Sequence, residues 1–236
     1  MSSGEIFGGS MKVEQQLSEL LAAILPHVVF DGWSQTSFDC AVADLKMDPA
    51  FAAMVAPRGA LDLAVAYHRQ GDADMRAAYQ NSSAASLKIR EKITLAVRLR
   101  LEAIADKEAV RRATSLFALP HHAGEGASLI WGTADHIWDL LGDSSRDVNW
   151  YSKRATLSAV YGATVLFWLG DESPNHAATW AFLDRRIENV MQIETAKAKI
   201  RDNKPLSAAL AGPLWLLGKI KAPQMRDDLP GRASKF

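Results

Sequence analysis

Apolar residues recur at helical spacing along most of the chain, and that pattern limits the fold more than any other feature. Leu17, Leu20, Leu21, Ile24, Leu25 and Val28 fall on one face of a 3.6-residue repeat. Ile89, Ile93, Val97, Leu101 and Ile104 do the same, as do Leu129, Ile130, Trp131, Ile137, Trp138 and Leu141. No convincing strand pair and no internal repeat interrupts the series, so the fold class is all-α. Breakers divide it. Asp31-Gly32-Trp33 ends the first helix, and Ser34 is placed to cap a short second one through Leu45. Asp48-Pro49 reads as the N-cap and first position of a third, ending near Val55. A fourth runs from about Ala60 to Tyr79 with Gly71 as a weak point, and Asn81-Ser82-Ser83 follows as a break. A short helix carrying Val110, Leu116 and Phe117 stops before Pro120, and Gly142 ends the helix after it. A long apolar helix extends to Leu169, and Ser173-Pro174 restarts the chain as N-cap and first turn of the last helix of the body.

Composition removes several classes of function. The chain has 236 residues, 48% hydrophobic and 23% charged, with zero formal net charge, so nothing drives it globally toward nucleic acid. Cys40 is the single cysteine; an intrachain disulfide and a cysteine metal site are excluded, and a small buried core residue is expected. The first residues lack a signal-peptide pattern, and no uninterrupted apolar run approaches the roughly 20 residues of a spanning helix. There is no Gly-rich phosphate loop, nucleophile elbow, His-Glu-x-x-His or paired Glu-x-x-His, so no catalytic constellation and no cofactor are expected. Asp135 and Asp139 share a helix face that His136 does not, so no metal site is expected there.

Three short helices with a turn at Lys46-Met47-Asp48-Pro49 resemble the DNA-binding head of the tetracycline-repressor family. A reading helix needs Arg, Lys, Asn or Gln at exposed N-terminal positions. Here it would be Pro49-Ala50-Phe51-Ala52-Ala53-Met54-Val55, which has none. Residues 1–60 carry seven acids against three bases, which repels phosphate. A vestigial helix-turn-helix without nucleic acid as partner is the expectation; a ligand-responsive transcriptional regulator of that family is the alternative.

Two stretches carry the binding readings. In Asp147-Val148-Asn149-Trp150-Tyr151-Ser152-Lys153-Arg154, Trp150 and Arg154 share a helix face, as do Asn149 and Lys153. An exposed Trp-Tyr beside two cations suits a protein contact; a core tryptophan and a solvated arginine is the other reading. From Lys204 to Lys221 the chain is apolar between lysines. As a helix, residues 205–217 would be roughly 20 Å long, short of the about 30 Å of a bilayer core. Leu206, Leu210, Leu214 and Leu217 form one stripe, Trp215 suits the interface, and Lys219 and Lys221 can reach anionic head groups. Pro213 would kink the helix or end it early. The stretch reads as an in-plane membrane anchor or pocket lid, or as a helix docked on the body; its cationic flanks favour the anchor.

Leu119-Pro120-His121, Trp138, Gly142-Asp143, the Asp147-x-Asn149-Trp150-Tyr151-x-x-Arg154 run, Tyr161, and Asp171-x-Ser173-Pro174 with Thr179-Trp180-x-Phe182-Leu183-x-x-Arg186 together resemble the ninth Coq protein family of ubiquinone biosynthesis. The likeness is strongest from about Leu119 to Asn189. It implies a tetracycline-repressor (TetR-like) helical bundle that is not an enzyme and binds an isoprenoid quinone intermediate or phospholipid. It implies a homodimer, peripheral membrane association through the last amphipathic helix, and a di-iron demethoxyubiquinone hydroxylase as partner. The family's partner-facing patch maps onto Trp150, Tyr151 and Arg154, with Asp147 and Asn149 beside them. The pocket would draw on Val97, Leu101, Leu116, Phe117, Trp131, Trp138, Phe167 and Trp168. The expected organisation is a leader or tag (1–11), a head and connecting helix (12–79), a lipid-binding and dimerisation body (80–203), the amphipathic helix (204–222) and a flexible tail (223–236). With no Arg-rich transit segment visible, a bacterial member on the cytoplasmic face of the inner membrane is expected.

Overall fold

The computed structural model describes residues 3–202, with side chains described from Val13 to Gln192. Among them are the helices α1 (Ser3–Asp31), α2 (Gln35–Asp44), α3 (Pro49–Val55), α4 (Ala60–Gln80), α5 (Ile89–Glu102), α6 (Lys107–Phe117), α7 (Ala123–Leu140), α8 (Val148–Leu169) and α9 (Ala177–Asp202), with no strand among the described residues. The ends form where the sequence places them. Ser34 Oγ accepts the Ser37 N–H at 3.2 Å, and Asp48 accepts the Phe51 N–H at 3.0 Å with Pro49 in the first turn. Gly32 and Gly142 adopt φ of +69° and +73°, the left-handed conformation that terminates α1 and α7.

Three expectations change. Residues 3–11, set apart as a leader, are helical and continue into α1, because extending an existing helix adds one hydrogen bond per residue fixed. Cys40 is only partly buried. Ser173-Pro174 opens a 3-10 turn, Pro174–His176, rather than α9 itself. The start of α9 is instead tied down by Asp171, whose carboxylate accepts from the Thr179 N–H at 2.9 Å, the Thr179 hydroxyl at 2.5 Å and the Ser173 N–H at 2.8 Å. Bonds from Ser173 and Thr179 hold this carboxyl well below the usual range.

Two apolar cores form. The head core joins α1 to α4 through Leu20, Ile24, Val28, Phe38 and Leu63; the body core joins α4, α5, α7, α8 and α9 through Met75, Val97, Leu101, Ile137, Trp168 and Leu183. Helix α4 belongs to both, its first half to the head and its second to the body. Helix α6 bridges them. Ala109 packs in the head core, and its carbonyl accepts the Trp33 indole N–H at 3.0 Å. On its other side Lys107 and Arg111 donate to the Asp171 and Leu169 carbonyls at 2.9 and 2.8 Å, placing two cations where α8 ends and its carbonyls lack intrahelical partners. Among the described residues no single helix is long and apolar enough to cross a membrane.

Candidate functional site

Where α6 spans head and body it does not fill the space beneath it. A cavity of about 640 Å³ lies between α4, α6, α7 and α8, within the usual range for small-molecule sites. Much of its wall is made by small residues: Ala64, Gly71, Ala113, Gly126, Ala127 and Gly162. Leu25, Ile104, Val110, Phe117, Leu129, Ile130, Val165 and Leu166 supply the larger apolar surface. Leu166, 61% exposed, stands at the rim.

One wall is polar. Arg100, 3% exposed, donates from Nε to Asp72 at 2.6 Å and from Nη2 to the His68 carbonyl at 2.9 Å. The guanidinium fits because position 71 has no side chain: a Cβ there would lie 2.4 Å from Nη1. Thr133 Oγ1 is 2.9 Å from Asp72 Oδ1 and 2.9 Å from His68 Nε2. Burial dominates His68 and lowers its pKa to about 4, against the pull of Asp72. The Tyr161 hydroxyl shares Thr133, and burial pushes its pKa up.

Of the eight residues expected to line a pocket, Phe117 does so. Val97, Leu101 and Trp168 are buried in the body core, Trp138 packs against it, and Leu116 packs against the head core. Phe167 is 37% exposed and stacks on Phe182 at 4.5 Å, outside the cavity. The reason is general: large apolar residues fill interiors, and a cavity persists where small ones stand opposite each other. The usable signal was Ala and Gly recurring on facing helices, together with Arg100 and His68, the polar residues in otherwise core-facing positions.

The eighth, Trp131, joins the second site. On the outer side of α7 and α8 its ring lies 6.0 Å from Trp150 and 6.5 Å from Tyr151, and Trp150 meets Tyr151 edge-on at 4.8 Å. All three are half-buried. Arg154, expected on this surface, lies beneath it at 1% exposure, its guanidinium 4.1 Å from the Trp150 ring centre. It pairs with Asp135, with Asp143 at 3.1 Å and with Asp139 at 3.6 Å. Those carboxylates draw the cation inward, leaving the aromatic rings as the outer layer. Asp135 and Asp139 do share a face, directed at Arg154, while His136 turns to Arg76 at 3.1 Å. Burial would raise the Asp143 pKa, but bonds from Lys153, Ser145 and Arg154 bring it down to about 2. Asp147 caps α8, accepting the Asn149 N–H at 3.0 Å and the Asn149 side-chain amide at 2.9 Å; both residues are exposed. The membrane set Leu206, Leu210, Leu214, Trp215, Leu217, Lys219 and Lys221 lies outside the described residues.

The COQ9 family model matches residues 123–194, which carry α7, α8 and the first part of α9. The mitochondrial ubiquinone biosynthesis protein COQ9 of Homo sapiens is 38% identical over 102 residues, 43% of this chain and 32% of its own. The probable ubiquinone biosynthesis protein coq9 of Dictyostelium discoideum is 30% identical over 190 residues, 77% of this chain and 61% of its own. COQ9 of Xenopus tropicalis is 28% identical over 209 residues, 84% of this chain and 65% of its own. The matched stretches thus span from 32% to 65% of the length of these curated relatives. Among solved structures, the TetR transcriptional regulator from Nitrosomonas europaea ATCC 19718 superposes with a TM-score of 0.62 at 18% identity, over 74% of this chain and 97% of that one, a likeness of fold. The capped aromatic run of α8 and the Asp171-to-Thr179 tie both lie inside the matched segment, and the chain is similar to the COQ9 family of ubiquinone biosynthesis, carried on a TetR-like all-α fold.

Proposed function

We propose that this chain is a non-catalytic, lipid-binding accessory protein of ubiquinone biosynthesis. It holds an isoprenoid quinone intermediate, or a phospholipid in its place, in the cavity under α6. It works at the cytoplasmic face of a bacterial membrane, as a homodimer, and presents its cargo to the di-iron demethoxyubiquinone hydroxylase across the Trp131–Trp150–Tyr151 face. The observation that carries the reading is the cavity itself, about 640 Å³ and mostly apolar, in a chain similar to this family. A polyprenyl ring compound is nearly insoluble in water, and each buried methylene contributes about 0.8 kcal/mol. A protein that shelters even the first part of such a tail lowers the cost of lifting it from lipid toward a catalyst.

The test is solvent extraction of the purified protein followed by mass spectrometry. A prenylated ring or a phospholipid near one per chain is expected, and its loss on Gly162→Leu, which projects a side chain into the cavity. A protein that carries no lipid and takes up none from vesicles refutes the reading. Membrane association is tested separately: removing residues 204–236 should abolish flotation with anionic liposomes while the helical fold persists.

The rival, a ligand-responsive DNA-binding regulator, draws on the superposition with a solved TetR regulator. Against it, α3 presents Ala50, Ala53 and Met54 on its exposed side. A gel shift at low salt would favour it if specific duplex were retained.

A further inference from the structure

The cavity's polar wall has a defined pattern of donors and acceptors, and it narrows the ligand class; this rests on the lipid-binding reading. Thr133 has one hydroxyl hydrogen. Asp72 Oδ1, which only accepts, lies 2.9 Å away and takes it. Thr133 Oγ1 therefore accepts from His68 Nε2, also at 2.9 Å, so the neutral imidazole carries its proton on Nε2. The Leu129 carbonyl, 3.3 Å from Thr133 Oγ1, also bonds the imidazole and, being an acceptor, shares the Nε2 proton, so Nδ1 is left with a lone pair. Arg100 uses Nε and Nη2 on Asp72 and the His68 carbonyl; Nη1 keeps its N–H groups and has no acceptor among the described residues. Both side chains line the cavity. From His68 and Arg100 the wall thus offers one acceptor and one charged donor; Gln70 and Asp74 line the cavity too but are exposed, and with Arg100 paired to Asp72 no net positive charge is left to neutralise an anion.

We propose that this wall binds a neutral hydroxylated ring, a phenol or hydroquinone bearing the apolar tail, with the ring hydroxyl accepting from Arg100 Nη1 and donating to His68 Nδ1. A quinone carbonyl or an ether can accept from Arg100 but has nothing to give His68. A phosphodiester has the same defect and also brings an unpaired negative charge next to Asp72. A buried acceptor left unmade costs about 1–3 kcal/mol, which sets the scale of discrimination.

The test uses the full chain, stripped of lipid, and three probes with one tail: 4-octylphenol, 4-octylanisole and octyl phosphate. Dissociation constants are read by tryptophan fluorescence. The phenol should bind about tenfold or more tightly than either of the others, the equivalent of one hydrogen bond. His68→Leu should bring the phenol down to the anisole's affinity and leave the anisole unchanged. Gly162→Leu should weaken all three. Equal binding of the three probes by the unmodified chain overturns the head-group assignment while leaving the cavity reading intact, and it needs no variant to fold. So does His68→Leu weakening all probes alike, the mark of a structural role. Tighter binding of octyl phosphate would assign an anionic lipid instead. If no probe binds, the cavity reading and this inference fall together.

Discussion

Replacing Gly71 by Ala separates two arguments that differ in sign. On helix propensity alone, Gly71→Ala in the middle of α4 should stabilise the chain by up to about 1 kcal/mol. The packing says otherwise. The new Cβ would sit 2.4 Å from Arg100 Nη1, 2.6 Å from Cζ and 2.9 Å from Nη2. The end of a long side chain usually yields cheaply to such a contact. This one is held by Asp72 at 2.6 Å and the His68 carbonyl at 2.9 Å, and is buried. Either α4 and α5 move apart or the guanidinium leaves Asp72. Breaking one side of a buried ion pair costs about 3–5 kcal/mol. Less the propensity gain, Gly71→Ala should destabilise by roughly 2–4 kcal/mol. Urea unfolding with linear extrapolation measures it. Gly132→Ala is the control, since a Cβ there meets nothing within 4 Å; it should gain about 0.5–1 kcal/mol. A Gly71→Ala variant as stable as the parent would refute the claim that this glycine exists to seat Arg100.

Stability should fall on mild acidification. His68 has a folded-state pKa of about 4 against 6.5 when free, so the unfolded chain binds the extra proton between those values. Stability is intact above 6.5 and is lost as pH drops toward 4; burial drives this, Arg100 and Arg69 add to it and Asp72 opposes it. Between about pH 7.5 and about pH 5 the loss should be about 2 kcal/mol, absent in His68→Leu, as urea titrations at each pH would show. Gly126→Ala should cost about 1–2 kcal/mol by chemical unfolding, because its Cβ would meet Phe117 Cβ at 2.7 Å, where α6 crosses α7. Arg154→Leu should destabilise by about 1–3 kcal/mol, since Asp135 loses its cation while Asp143 keeps Lys153 and Ser145. Trp150→Ala should cost less in thermal unfolding and act mainly on capture of the hydroxylase proposed as partner.

The helices were readable because their signals are local. Ser34 and Asp48 cap the helices they precede, and Gly32 and Gly142 end the ones they follow, each a residue type that marks a helix end in the sequence itself. The cavity was not readable, because it is a property of pairs of helix faces. Gly71 looked like a flaw in α4 and turns out to be room for Arg100 on α5. Large apolar residues were the natural guess for a lining, yet Val97 and Leu101 are core for the same reason that made them conspicuous. Arg154 shares a face with Trp150, as the four-residue spacing requires. Spacing cannot say that Asp135, Asp139 and Asp143 wait beneath that face, because α7 and its last turn reach it only in three dimensions.

Each of the two surfaces rests on a buried arginine: Arg100 behind the cavity wall, Arg154 behind the aromatic layer. Stability alone does not call for either. Moving a guanidinium and its carboxylates out of water costs several kcal/mol, and apolar replacements of similar volume are often neutral or better. The arrangement is better understood as placement: one guanidinium lines the cavity, the other lies 4.1 Å from the Trp150 ring centre. The first case can be tested cleanly by removing both charges together. Asp72→Leu with Arg100→Met leaves no stranded ion, so unfolding free energy should stay within about 1–2 kcal/mol of the parent. Affinity for 4-octylphenol and for 4-octylanisole should nevertheless both fall, because the wall loses the donor that either oxygen would use. A double variant that kept both affinities would show that Arg100 serves the fold alone.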